Sequence, residues 1–122
     1  MTLINKIIDG RMYAKKLLAE IHPLSKGFLD NFNREPSLTV IQVGDNPASK
    51  IYVKNKILTA KKNGIKSKEI LLASDVSEDE LIHHILILNK DENVDGILVQ
   101  LPLPKHISEK IIINIIDPLK DV

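Results

Sequence analysis

The spacing of apolar and polar residues changes period several times along this chain, and each change marks an element. After a short extended lead-in at Ile7-Ile8-Asp9-Gly10, apolar side chains recur at Met12, Leu17, Leu18 and Ile21, then at Leu24, Phe28, Leu29 and Phe32. That is the spacing of a helix face. Pro23 falls between the two sets, and an interior proline removes a hydrogen bond and crowds the preceding turn. The pattern therefore predicts one long helix kinked near His22-Pro23, or two shorter ones, lying across a sheet. Ser37 to Val43, bounded by Pro36 and by Gly44-Asp45, reads as the first strand. Asn46 is a good N-cap, Pro47 suits the first helical position, and Asn63-Gly64 supplies a left-handed stop, so a helix fills the interval. Ile65 to Leu72 is a second strand, poorly alternating but rich enough in β-branched residues.

Ser77-Glu78-Asp79-Glu80 is a capping box that opens a further helix, with Leu81, Ile82, Ile85, Leu86 and Leu88 expected on its buried side, running to about Asn89. The run Gly96 to Leu101 is apolar almost throughout, as a parallel strand covered on both faces should be. Ser108 caps a last short helix from Glu109 to Ile116, before Asp117-Pro118. Strand, helix, strand repeated in this way predicts an α/β fold: a three-layer domain with a mainly parallel sheet, covered by helices on both faces through right-handed crossovers.

The length, 122 residues, suits one domain with a single core. Aromatic residues are scarce and Trp is absent, so the core is built of branched aliphatics. Seventeen Lys and Arg nearly balance sixteen Asp and Glu, and the two signs are interspersed. This argues against a nucleic-acid footprint and against a polybasic membrane anchor. No cysteine is present, which removes disulfides, thiol nucleophiles and Cys-ligated metals and suits a reducing compartment. Met1-Thr2-Leu3-Ile4-Asn5-Lys6 lacks the long apolar region of a secretory signal, and no apolar run approaches membrane-spanning length, so a cytoplasmic location is expected.

The chemistry is concentrated in two stretches. On the helix that follows Pro47, at about 100° per residue, Lys50, Lys54 and Lys61 fall on one stripe, while Ser49, Tyr52, Lys56 and Thr59 fall roughly opposite. Lys56 is thereby separated from the solvated lysine face. Tyr52 and Lys56, four residues apart, stand one above the other. The bland reading is that Lys56 reaches along an apolar wall to water and Tyr52 only packs. The second stretch, Asp95 to Pro104, shifts the balance, because it is an apolar strand that ends in the amide of Gln100. Ligands of open α/β sheets collect outside the carboxyl ends of strands, where Gln100 would sit. His83 and His84 each follow an acid by four residues, but adjacent helical residues cannot face one ion, so surface ion pairs and no metal are expected there. Asp45 argues against anion binding in the Gly44-Asp45-Asn46-Pro47 turn.

Four blocks resemble, in order, the N-terminal, substrate-binding half of the bifunctional methylenetetrahydrofolate dehydrogenase and methenyltetrahydrofolate cyclohydrolase family. They are Ile8-Asp9-Gly10; Val43 to Ser49 leading into Tyr52-Val53-Lys54-Asn55-Lys56; Asn89-Lys90-Asp91 followed by Val94-Asp95-Gly96 and Val99 to Pro104; and Asp117 to Val122. The resemblance implies that Lys56, Tyr52 and Gln100 act together on a folate substrate in one-carbon metabolism, and that the intact enzyme uses NADP or NAD and forms a homodimer. It also implies a pterin-binding aspartate, the second Asp of an Asp-Val-Asp-Gly sequence. Asp121 and Val122 match only the first two positions, so that role does not pass to Asp121. By the same resemblance the chain reads as cut at Val122, with the nucleotide-binding Rossmann domain beyond it. The five glycines, at positions 10, 27, 44, 64 and 96, form no G-x-G-x-x-G. Residues 1–122 are thus expected to be the folate-binding catalytic domain and, alone, to lack dehydrogenase activity.

The implied reactions pass through a methenyl cation that water attacks. A neutral Lys56, its pKa depressed by burial and neighbouring charge, is the state expected to act as base or to position that water. Tyr52 would orient the lysine and pack on the folate, Gln100 would hold Lys56 through its carbonyl oxygen, and Val99 and Leu101 would offer backbone groups or apolar wall. Leu101-Pro102 and Leu103-Pro104 are the places where a cis bond could shape the loop, although cis is the minority form even before proline, and the sequence does not choose between cis and trans. Two other readings fit less well. Tyr-x-x-x-Lys also occurs in short-chain dehydrogenases, but nothing upstream of Tyr52 supplies their glycine-rich turn. Pro102-Leu103-Pro104-Lys105 could be a polyproline ligand of an interaction module, but it follows a buried strand.

Overall fold

The computed structural model describes residues 7–122. Its elements follow one another as α1 (Gly10–Phe32), β1 (Ser37–Val43), α2 (Pro47–Lys62), β2 (Lys66–Leu72), α3 (Glu78–Lys90), β3 (Gly96–Val99) and α4 (Glu109–Ile115). The capping residues do what their side chains suggest. Asp9, Asn46, Ser77 and Ser108 each accept a backbone N–H from the first turn of the helix that follows. Asn63 closes α2, and Gly64 takes φ +75°, the left-handed conformation that favours glycine.

The strands form a parallel sheet in the order β2-β1-β3. β1 is central: Ser37 to Val43 pair with Lys66 to Leu72, and Leu38 to Ile41 pair with Gly96 to Val99. The chain steps from β1 to β2 in one direction and from β2 past β1 to β3 in the other. Right-handed crossovers then put α2 and α3 on opposite faces, giving the three layers expected from the sequence. The larger core lies on the α3/α4 face, where Ile41, Val43, Ile97 and Val99 meet Leu81, Ile85, Leu88, Ile112 and Ile116. On the α2 face, Val40, Val53 and Ala60 are buried.

Several expectations need adjustment. α1 is continuous through Pro23, and only Ser25 on it is buried. It lies on the α2 side, where Ser25 Oγ donates to Asn63 O at 2.6 Å, while Met12, Leu17, Leu24 and Phe32 remain exposed. Leu86 is exposed, because the buried stripe of α3 is Leu81, Ile85 and Leu88, and Leu86 lies about 140° from Leu81. β3 ends at Val99 rather than Leu101. Gln100 N still donates to Ile41 O, but Pro102 and Pro104 have no N–H with which to continue a ladder. The Leu101–Pro102 bond is the cis one. No ion pair joins Asp79 to His83 or Glu80 to His84 among the described residues.

Two clamps hold the sheet at its amino-terminal edge and beside β3. Arg34 grips Asp95 with two nitrogens, at 2.7 and 2.9 Å, and Asp95 also accepts from Ser37 N. Lys120 donates to Leu88 O and Asp91 O at the end of α3, and Ile97 N donates to Lys120 O. Among the described residues no helix is long and apolar enough to cross a membrane.

Candidate active site

The sheet topology singles out one crevice. β1 sends its connection toward β2, whereas β3 lies on the other side, so the chain reverses direction between the carboxyl ends of β1 and β3. Ligands of open α/β sheets bind at such switch points. α2 starts there, because Gly44, at φ +85°, turns the chain out of β1 and Asn46 caps the helix. Its buried stripe is Ser49, Val53 and Ala60, which presses on the sheet. Tyr52 and Lys56 stand at the border of that stripe rather than on it.

Lys56 Nζ donates to Gln100 Oε1 at 2.8 Å. This bond joins residues 44 positions apart, on the helix and at the end of the strand. Gln100 Nε2 donates in turn to Leu101 O at 3.1 Å, which orients the amide so that its oxygen faces the lysine. Tyr52 lies one helical turn before Lys56, with 58% of its surface exposed, and its ring is free to lie along a ligand. Beyond Lys56 an apolar cavity of about 430 Å³ extends between α1 and α2, lined by Leu18, Ile21, Leu38, Thr59 and Ala60 among others. The site therefore offers an amine held in place by an amide, an aromatic ring and an apolar wall.

The expected burial of Lys56 is not found. Its side chain is exposed, although it reaches Gln100. Val99 is also placed differently from a wall residue. Its side chain joins the core on the α3/α4 face, away from Lys56, which leaves only its backbone for the site. Leu101 is 39% exposed beside Gln100. Leu103 is buried in the core and its N–H donates to Glu109, so Pro102-Leu103-Pro104 is a packed turn and no free polyproline ligand.

Sequence reasoning passed over Gln42. It is 1% exposed, and neither its Nε2 nor its Oε1 has a hydrogen-bond partner among the described residues. Leaving a buried amide group unpaired costs about 1–3 kcal/mol. The signal was in the sequence: an amide inside the otherwise apolar run Val40-Ile41-Gln42-Val43. His106 holds Val76 O through a ring nitrogen at 2.7 Å and ties the turn after β3 to the start of α3.

The sequence compares closely with known proteins. The bifunctional protein FolD of Anaplasma phagocytophilum is 52% identical over 118 residues, which cover 97% of this chain and 39% of that protein. In solved structures, the FolD methylenetetrahydrofolate dehydrogenase/cyclohydrolase of Campylobacter jejuni superposes with a TM-score of 0.88 at 42% identity, over 93% of this chain and 40% of that one. The Trypanosoma brucei methylenetetrahydrofolate dehydrogenase-cyclohydrolase, solved with NADP cofactor and inhibitor, gives 0.87 at 32% identity, over 94% and 39%. The chain spans about two fifths of the length of the relatives it matches. Residues 8–122 match the tetrahydrofolate dehydrogenase/cyclohydrolase catalytic domain, and with the Lys56–Gln100 pair at the switch point of the sheet this chain belongs to that family.

Proposed function

We propose that this chain is the folate-binding, catalytic part of an enzyme that oxidises 5,10-methylenetetrahydrofolate to 5,10-methenyltetrahydrofolate with NADP or NAD and hydrolyses the product to 10-formyltetrahydrofolate. The observation that carries the reading is the Lys56–Gln100 hydrogen bond, which brings together two sequence blocks shared with the family. Lys56, Tyr52 and Gln100 are the catalytic residues of this proposal. The same three, with the backbone of Val99 and the exposed Leu101, contact the folate.

In the hydrolytic step a water oxygen attacks the one-carbon bridge of the methenyl cation. One proton of the water passes to the lone pair of Lys56 Nζ, leaving a hydroxyl on the bridge carbon. The bond from that carbon to one ring nitrogen then breaks as the hydroxyl proton is transferred to the nitrogen, and the C–O bond becomes the formyl carbonyl. Two positive charges about 4 Å apart repel by roughly 4 kcal/mol at an effective dielectric of about 20. The cation thus favours a neutral amine beside it. Gln100 Oε1 takes one N–H of that amine and leaves its lone pair for the water. Tyr52 lays its ring on the folate and narrows the positions open to the lysine.

The turn from β1 to α2 does not fit the pyrophosphate of a nicotinamide dinucleotide. At the turn from β1 to α2, where such a pyrophosphate would be cradled, Asn46 Oδ1 already takes the N–H groups of Ala48 and Ser49. Pro47 has no N–H, and Asp45 adds a negative charge that pairs with Lys50. No hydride step is assigned to these residues, and in this reading the nucleotide is held by another part of the intact enzyme.

Hydrolysis of 5,10-methenyltetrahydrofolate, followed by loss of its absorbance, tests the reading. Saturable hydrolysis above the buffer rate is expected in the enzyme containing this chain. Failure of that enzyme to bind or hydrolyse this folate would overturn it.

A further inference from the structure

The buried amide of Gln42, unpaired among the described residues, lies on the α2 face of the sheet beside the strand end that carries Gln100. Side chains alternate between the faces of a strand. Ile41 and Val43 point into the core on the α3/α4 face, so Gln42 points to the other face, under α2. Ile41 pairs with Val99 on β3, and Gln100 N donates to Ile41 O, so Gln42 and Gln100 are the next residues in register on adjacent strands. Residues in register share a face, and Gln100 uses that face to reach Lys56 on α2. Neighbouring strands lie about 4.8 Å apart, within the span of two glutamine side chains.

We propose that Gln42 is a positioning residue for the lysine: its Nε2–H donates to the remaining lone pair of Gln100 Oε1, directly or through one water, when a folate occupies the site. An amide oxygen accepts two hydrogen bonds, and Lys56 Nζ uses only one of them. Among the described residues neither polar atom of Gln42 has a hydrogen-bond partner, so its Nε2–H is open to Gln100 Oε1. Gln100 is then held from below as well as by Leu101 O, and its oxygen cannot turn from the lysine during water attack. Gln42 is covered by protein and acts through Gln100 alone. The inference rests on the proposed cyclohydrolase reading for its substrate, and on the sheet register for its geometry.

Gln42→Met keeps the volume and removes the amide. With the enzyme containing this chain, the melting temperature should stay level or rise, kcat for methenyltetrahydrofolate hydrolysis should fall about tenfold, and KM should stay within about twofold. Gln42→Asn, an amide on a shorter stem, should recover part of the rate. In the folate complex, the side-chain NH₂ resonances of Gln100, read by ¹H–¹⁵N NMR, should move in Gln42→Met. Gln42→Leu, better suited to a strand, replaces Met if Met packs badly. Wild-type kcat with unmoved Gln100 resonances overturns the proposal. A joint fall in stability and rate with those resonances unmoved marks core damage and also overturns it. If the wild-type enzyme hydrolyses nothing, the activity reading fails by itself. The Gln100 resonances in the presence of 5,10-methenyltetrahydrofolate then decide the inference, moved in its favour and unmoved against it.

Discussion

Lys56 and Gln100 lie 44 residues apart and meet at 2.8 Å, with the lysine donating to the amide oxygen. Neither residue has the other as a sequence neighbour, and the contact exists because α2 runs back over a sheet in which β1 and β3 are adjacent. An amine anchored in this way has one preferred direction for its remaining valences, which a freely rotating lysine lacks.

The two faces of α2 should therefore respond differently to mutation. Lys54 and Lys56 are two residues apart, so their side chains point about 200° from one another. In the enzyme containing this chain, Lys54→Met should leave cyclohydrolase activity nearly unchanged. Lys56→Met should lower it by on the order of 10²–10⁴-fold, as loss of a proton-transfer group does. Because Lys56 is exposed, its replacement should shift stability by no more than about 0.5 kcal/mol. Equal activity losses at the two positions, measured with melting temperatures, would remove Lys56 from the catalytic role.

The 122-residue chain assayed alone should not reduce NADP or NAD in the presence of 5,10-methylenetetrahydrofolate. Its β1–α2 turn has its amide donors occupied and carries Asp45, so a pyrophosphate finds no cradle there. Absorbance at the reduced nicotinamide band checks this, and saturable reduction would contradict it.

Gly64→Ala should destabilise the fold by about 1–3 kcal/mol. A Cβ there would lie 2.8 Å from Ser25 Oγ, and the residue has φ +75°. Ser25 cannot turn aside freely, since its hydroxyl bonds to His22 O and Asn63 O. The pair Gly64→Ala with Ser25→Gly should recover the steric part and leave the backbone part. Urea midpoints of the single and double variants separate the two.

Stability should fall in acid through Asp95. Its carboxyl is held below the ordinary carboxylate range, first by the hydrogen bonds from Arg34, and further by Ser37 N–H and nearby positive charge, with partial burial opposing. A group whose folded pKa is depressed stabilises the fold above its unfolded pKa, near 3.9, and that contribution is lost as the pH falls through the lower folded value. Asp95→Asn should cost about 1–2 kcal/mol at pH 7, since the clamp is partly exposed. The gap between wild type and variant should narrow steadily below about pH 4. A gap of constant size from pH 7 to pH 2.5, measured by denaturant titration, would show that the clamp carries no such linkage.

Local sequence determined the elements of this protein because their signals act over a few residues. Asn46-Pro47, Ser77 and Ser108 start helices through their own side chains, and Gly64 supplies a conformation that other residues resist. The helical stripe by itself also separates Lys56 from Lys54. Tertiary structure alone decided the rest. Only the strand order β2-β1-β3 sets Gln100 beside Gln42 and within reach of Lys56. Pro23 stays inside one helix, although the local pattern left a break open, and Ser25, two residues on, fastens that helix to Asn63. Burial was the least legible property. Helical spacing says which residues share a face, but whether that face meets protein or water depends on elements far away in sequence. Lys56 and Leu86 are therefore exposed where the spacing suggested cover, and Gln42 is enclosed with no partner among the described residues.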